Sequence, residues 1–175
     1  MHYIRKVAMT LLSFVAACVI LVATSRTAAA APLSCRSLTP AAIQGVIDEI
    51  AESLTKAESD SAANGATGAY ASAARDNLAY LQAAHDQMVA LQTWLTDNGV
   101  DAPYVTNASA AYNVHGYVRE VVNALHYARH WATISAVYHA SADARDSFEL
   151  TSQAIDLAEA LGVQGGRCYM NSYVP

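Results

Sequence analysis

Histidines recur along one stretch of the chain at a spacing that suits an α-helix. Four of the six lie between residues 115 and 139. An α-helix turns by about 100° per residue, so three of these histidines share a sector about 60° wide with three other residues, whereas His139 lies on a different face. We call this set the histidine stripe: Tyr112, His115, Arg119, His126, His130 and Thr133.

The histidine stripe contains groups that bind transition metals. His126 and His130 are four residues apart, so one helical turn can present two imidazole nitrogens to the same ion. His115 on the same face and His85 on the preceding predicted helix are further candidate ligands. The chain has no Glu-x-x-His, His-Glu-x-x-His or Cys-x-x-Cys-His motif beside them. One hypothesis is therefore a carrier that binds a transition metal or haem through these histidines.

The stripe allows two other interpretations. In the first, it borders the core, and its imidazoles hydrogen-bond to neighbouring helices or water. In the second, His126 or His130 acts as a general base while Arg119 holds an anion. The sequence has no Gly-x-Ser-x-Gly motif and no acid on the stripe, since Glu120 and Asp143 lie off it. We therefore expect a protein that is not an enzyme.

The composition indicates that packed helices position these side chains. Hydrophobic residues make up 54% of the 175 residues, and 37 are alanine, whereas there are only 8 glycines and 4 prolines. Such a composition excludes disordered and collagen-like chains and favours close-packed helices over a β-sandwich. Four segments with helical apolar spacing and short connections predict an all-α, antiparallel up-down four-helix bundle.

The ends of the predicted helices carry recognisable signals. Thr39 is the expected N-cap of the first helix and Ser141 that of the fourth. The dipeptide Leu161-Gly162 is expected to end the fourth helix and to leave an irregular tail from Val163. The third helix contains a candidate break or kink at residues 113–116. The expected ranges are about 40–63, 69–97, 105–140 and 141–162.

The first 30 residues resemble a cleaved export signal. Arg5 and Lys6 precede an apolar run over residues 7–23, and Ala28-x-Ala30 fits a small-residue cleavage site after Ala30. The alternative is a lipoprotein anchored through Cys18, because Val15-Ala16-Ala17-Cys18 resembles a lipobox. The mature chain, residues 31–175, is then a single helical domain of the periplasm or the extracellular space.

Two cysteines remain in the mature chain after cleavage, near its two ends. Cys35 and Cys168 form an even pair, which in an oxidising compartment predicts one disulfide. A bundle with an even number of helices brings its termini to the same end, so the two residues can meet. No Cys-x-x-Cys motif supports a thiol redox site or a thiolate zinc site.

Charge limits the kinds of partner. Removing residues 1–30 takes away three of the 10 basic residues and none of the 15 acidic ones, so the net charge falls from −5 to −8. This balance argues against nucleic acid and anionic membranes as partners, and no stable membrane span is expected in the mature form.

The remaining features favour recognition of another macromolecule. Ten tyrosines outnumber two phenylalanines, and tyrosine is common in protein interfaces. The stretch GYVREVVNAL, residues 116–125, resembles a helix of periplasmic immunity proteins that neutralise type VI secretion amidase effectors, but lacks that family's cysteine pattern beside it. No residue role follows from these ten residues. We expect a non-catalytic binding protein of the inhibitor, immunity or accessory-factor type.

Overall fold

The computed structural model describes residues 33–64, 71–98 and 108–171. These residues belong to a compact unit that spans residues 31–175. The export signal, its cleavage after Ala30 and lipidation at Cys18 concern residues outside the described part. The helices are α1, Leu33–Arg36; α2, Pro40–Asn64; α3, Ala71–Asp97; α4, Ala108–His139; and α5, Ala142–Asn171.

The four long helices form an all-α, antiparallel bundle, as predicted. Each packs against two neighbours in the cyclic order α2, α3, α4, α5, and α1 packs on α5. The described residues contain no strand. No helix of this described part combines the length and the apolar character that a bilayer crossing demands.

Both predicted N-caps are confirmed. The Ala42 N–H donates to Thr39 Oγ1 at 3.0 Å, and the Ala144 N–H donates to Ser141 Oγ at 3.2 Å. Each side chain thereby satisfies one amide that the first turn of a helix leaves without a partner. Between α4 and α5, Ala140 has a φ of 52°, which lets the chain reverse over two residues.

One expected helix end is wrong, and so is the expected break within the third long helix. The fourth long helix does not end at Leu161-Gly162 but continues to Asn171, so the tail from Val163 is helical rather than irregular. Glycine has no side chain, and at Gly165 this lets α5 pack closely against α4. A Cβ at this position would lie 3.2 Å from the backbone nitrogen of His115. Residues 113–116 likewise show no break, because α4 runs without interruption through them.

The core changes character along the bundle axis. Towards the disulfide it consists of large aliphatic side chains, whereas alanines and polar residues replace them towards the α4–α5 connection. Burial of each large side chain stabilises the fold by about 1.5–3 kcal/mol, so most apolar stabilisation lies near the disulfide. The large, fully buried side chains are Leu38, Ile43, Val46, Ile50, Leu81, Met88, Leu91, Val114, Val118, Val121 and Leu125.

The predicted disulfide joins Cys35 and Cys168. Both residues are fully buried, their Cα atoms are 4.7 Å apart, and 133 positions separate them in sequence. The bond ties the segment before α2 to the last turns of α5. It therefore fixes the part of α5 that the sequence pattern did not identify as helical.

Candidate functional site

The histidine stripe lies on the solvent-facing side of α4. All six of its residues are exposed, and Tyr112 retains 58% of its accessible surface. The adjacent side of α4 is buried by an apolar row that includes Val114, Val118, Val121 and Leu125. Burial of that row sets the rotation of α4 and so directs the stripe outward.

His115 and His126 each contact α5. His115 Nδ1 lies 3.1 Å from the carbonyl oxygen of Gly162, and because a carbonyl only accepts, this nitrogen carries the proton. An Arg129 guanidinium nitrogen lies 3.3 Å from His126 Nδ1, so Nδ1 accepts and the proton of the neutral ring is on Nε2. His126 Nε2 lies 3.5 Å from Glu159 Oε1. These contacts give each ring a preferred tautomer and orientation.

The other two candidate ligands have different surroundings. His130 packs edge-on against Trp131, with ring centroids 5.3 Å apart. His85 Nδ1 lies 3.5 Å from Asp86 Oδ1. On α3, Gln92 lies two turns from His85 and therefore on the same side, and it donates a hydrogen bond to Gln44 of α2. His85 thus lies on the side of α3 towards α2, away from the histidine stripe on α4.

These positions determine how the histidines fit a metal ion. His126 and His130 share an exposed side of one helix, with Glu159 beside His126. In residues 33–64, 71–98 and 108–171, no three His, Cys, Asp or Glu side chains lie close enough together to hold a metal ion, and this includes the group around His126. The residues present therefore fit a two-histidine surface site better than a closed coordination sphere.

Exposed aromatic and aliphatic side chains extend the stripe into a broader surface. Tyr127 is 57% exposed and stacks on Tyr80 of α3, with ring centroids 5.2 Å apart. Val137 and Tyr138 are 69% and 58% exposed near the end of α4. At the other end, Tyr112 contacts Tyr169 of α5, with ring centroids 5.3 Å apart. We call the histidine stripe together with Tyr127, Val137 and Tyr138 the α4 face.

A second cluster lies inside the bundle and was not predicted. Six polar residues in the half away from the disulfide have no accessible surface. They occupy positions where a helical apolar pattern would place aliphatic side chains. In the sequence, only this spacing indicates that they are buried. We call them the buried polar layer: Ser53, Asp60, Asn77, Ser135, Ser147 and Thr151.

Three hydroxyls of this layer form a continuous hydrogen-bonded chain. Thr151 Oγ1 donates to the Ser147 carbonyl oxygen at 2.6 Å, and it lies 2.7 Å from Ser53 Oγ. Ser53 Oγ lies 3.3 Å from Ser147 Oγ, which accepts from Asn77 Nδ2 at 3.0 Å. One assignment uses every hydroxyl proton: Asn77 donates to Ser147, Ser147 to Ser53, Ser53 to Thr151, and Thr151 to the carbonyl.

The layer also holds a fully buried carboxyl group. Ser135 Oγ donates to Asp60 Oδ2 at 2.6 Å, and Asn64 Nδ2 donates to Asp60 Oδ1 at 2.7 Å. Both carboxyl oxygens therefore have a donor, as burial of such a group requires. Asn77 Oδ1 is buried and accepts no hydrogen bond from the protein. The layer thus links all four long helices through polar contacts.

Replacing Ser147 with alanine is expected to lower the free energy of unfolding by about 1–3 kcal/mol, because Asn77 Nδ2 loses its acceptor inside the bundle. Thr151→Val is the matched comparison. It is expected to have a smaller effect, because Ser53 Oγ can donate to the Ser147 carbonyl oxygen, 3.1 Å away. Urea unfolding followed by circular dichroism measures both. Equal losses for the two variants would contradict the assigned hydrogen-bonded chain.

The fold defines the class of protein as an all-α four-helix bundle closed near its ends by a disulfide. No family model, curated protein or solved structure matches the chain. The features of the described residues that bear on function are therefore the α4 face, the buried polar layer and the remaining surface.

Proposed function

We propose that this chain is an exported, non-catalytic binding protein of the inhibitor, immunity or accessory-factor type, and that the α4 face contacts a partner protein. The observation that supports this most is the α4 face itself. Aromatic, histidine and arginine side chains lie exposed along one 32-residue helix whose other side is buried. Tyrosine and arginine are enriched among the residues that contribute most to protein interfaces.

Rigidity of the α4 face favours binding. The helix is anchored by its apolar row, and the Tyr127 and Tyr112 rings already rest against aromatic rings of neighbouring helices. Side chains that are ordered before binding lose less conformational entropy on association. The contacts of His115 and His126 with α5 restrict two further side chains in the same way.

The proposed compartment is the periplasm or the extracellular space. The Cys35–Cys168 disulfide supports it, because such bonds persist in oxidising compartments. The basic and apolar start of the sequence supports export as well. Lipid attachment at Cys18 is the alternative form of export.

We expect Val137→Glu to weaken partner binding at least tenfold, because a charge replaces an apolar side chain in the proposed interface. Val89→Glu on α3 is the matched control, since Val89 is an exposed valine outside the α4 face. The partner is first isolated from the exported fraction of the native host with the tagged protein, and its affinity for each variant is then measured by calorimetry. Equal weakening by both variants, or no partner together with turnover of a small substrate, would refute the proposal.

A second candidate function is binding of a transition metal or haem. The observation that favours it is the exposed pair His126 and His130 with Glu159 3.5 Å from His126. This candidate requires about one Zn, Cu or Ni ion per chain, or a haem Soret band, in the native purified protein. Binding should disappear in the His126→Ala/His130→Ala variant and persist in His85→Ala, because His85 faces α2. Metal titration that leaves thermal stability unchanged would exclude it.

A further inference from the structure

The seam between α2 and α5 contains an apolar groove on a different side of the bundle from the α4 face. Its volume is about 300 Å³, and its lining is almost entirely apolar. Leu157 in its wall remains 46% exposed. The main lining residues are Ala42, Gly45, Leu157, Ala160, Leu161 and Gln164.

Gly45 keeps this groove open. It lies in the interior of α2, where glycine is a poor helix former, and no atom lies within 4 Å of the position a Cβ would occupy. Gly165 differs, because its missing side chain makes room for the backbone of α4. Gly45 therefore leaves its part of the groove empty, and a larger side chain at this position would project into it.

A carboxylate lies beside the groove, although it is not part of the lining. Glu49 follows Gly45 by one helical turn, so both face the seam, and its Oε1 atom is buried without a hydrogen-bond donor from the protein. Burial raises the pKa of Glu49 above its ordinary value, and the neighbouring Glu52 carboxylate raises it further. A partly buried carboxyl group with one oxygen left without a donor is unfavourable, so a cation placed beside that group would be stabilised.

The nearest lysine along the seam is already paired. Lys56 Nζ lies 3.0 Å from Asp146 Oδ2 and 3.6 Å from Asp143 Oδ1. Along α2, Lys56 also lies almost two turns beyond Glu49. The apolar groove thus lies next to a carboxylate that Lys56 does not pair with.

We propose that this groove docks a helical segment of a partner polypeptide that places an apolar side chain over Gly45 and a lysine or arginine one turn away at Glu49. Charge complementarity selects this occupant: the apolar volume takes the hydrocarbon side chain, and the carboxylate takes the cation. The site goes beyond the α4 face, because it uses other helices and another chemistry.

Three alanine-rich synthetic peptides test the docking. The first carries Leu and Arg four residues apart, the second Leu and Glu, and the third Ser and Arg. Each is titrated into ¹⁵N-labelled full chain, and amide shifts are followed by NMR. The Leu/Arg peptide should shift the Gly45 and Glu49 amides and bind at least fivefold more tightly than either of the other two.

Two pairs of variants locate the effect. Gly45→Leu should abolish binding by filling the groove, whereas Gly116→Leu should not, although a Cβ at Gly116 also has no atom within 4 Å. Glu49→Gln should remove the preference for Arg over Glu, whereas Glu58→Gln at an exposed position of α2 should retain it. Thermal midpoints of all four variants establish that they remain folded.

Several results would overturn the docking site. The first is that the three peptides bind with equal affinity. The second is that millimolar peptide shifts no amide at the seam between α2 and α5. The third is that the Gly45→Leu variant is folded and still binds the peptide. Concentration-dependent shifts of the same amides without peptide would instead identify a second copy of the chain as the occupant. Val137→Glu should leave peptide binding unchanged, so failure of the groove and failure of the α4 face are distinguishable.

Discussion

Replacing Cys35 and Cys168 together with alanine is expected to lower the free energy of unfolding by about 5 kcal/mol. The disulfide closes a loop across a sequence separation of 133, and chain entropy makes the constraint on the unfolded state larger for longer loops. Globular domains are stable by only about 5–15 kcal/mol, so this loss is a large share of the total. The alanine-rich half of the bundle buries few large apolar side chains, so its packing does little to offset the loss of the disulfide.

Urea unfolding of the native protein, the double alanine variant and the native protein in reducing agent measures this effect. The variant and the reduced protein should agree, because both lack the same covalent constraint. Amide exchange should also increase first in the last turns of α5, which the bond ties to the segment before α2. A loss below about 1 kcal/mol would show that packing alone holds these ends together.

Replacing Gly165 with valine is expected to cost about 1–3 kcal/mol or more. A Cβ at this position lies 3.2 Å from His115 N and 3.4 Å from the Ala111 carbonyl oxygen. Both atoms belong to the backbone of α4, which cannot rotate out of the way as a side chain does. The two helices must therefore separate, and the apolar contacts on either side of Gly165 are weakened as well.

Gly116→Ala is the control for this prediction, and it should have the opposite sign. Gly116 lies in the interior of α4 with open space beside it, so alanine improves helix propensity by about 0.5–1 kcal/mol without a clash. Thermal unfolding of both variants gives the comparison. Equal destabilisation by the two substitutions would contradict the close approach of α4 and α5.

Local signals in the sequence were sufficient to predict much of this fold. Thr39 and Ser141 act as caps through hydrogen bonds to amides three residues away, so their role depends only on nearby residues. The pairing of Cys35 with Cys168 followed from the parity of cysteines and of helices. The exposed side of α4 was visible in its spacing because a regular apolar row lies beside it.

Features that depend on contacts between helices were not predictable in the same way. Gly162 resembles a helix stop in sequence, yet here a Cβ would lie 3.1 Å from a Val118 methyl carbon, so the glycine fits the α4–α5 contact. Ser53 and Asn77 have the same side chains whether they lie at the surface or in the core. Only the register of four packed helices determines their burial.

His85 illustrates the same limit for the candidate site. Its spacing along α3 was compatible with contact across the bundle, but spacing within one helix does not say which neighbour lies on which side. The hydrogen bond from Gln92 to Gln44 and the stacking of Tyr80 on Tyr127 establish the two sides of α3. They place His85 towards α2 and leave the α4 face without it.

Site-specific photocrosslinking in the native host tests most directly whether the α4 face binds a partner protein. Benzoylphenylalanine is introduced at Val137 on α4 and, as the matched control, at Val89 on α3, since both are exposed valines. We expect one discrete protein adduct at Val137 and none at Val89. No adduct at Val137, or the same adduct at both positions, would contradict it.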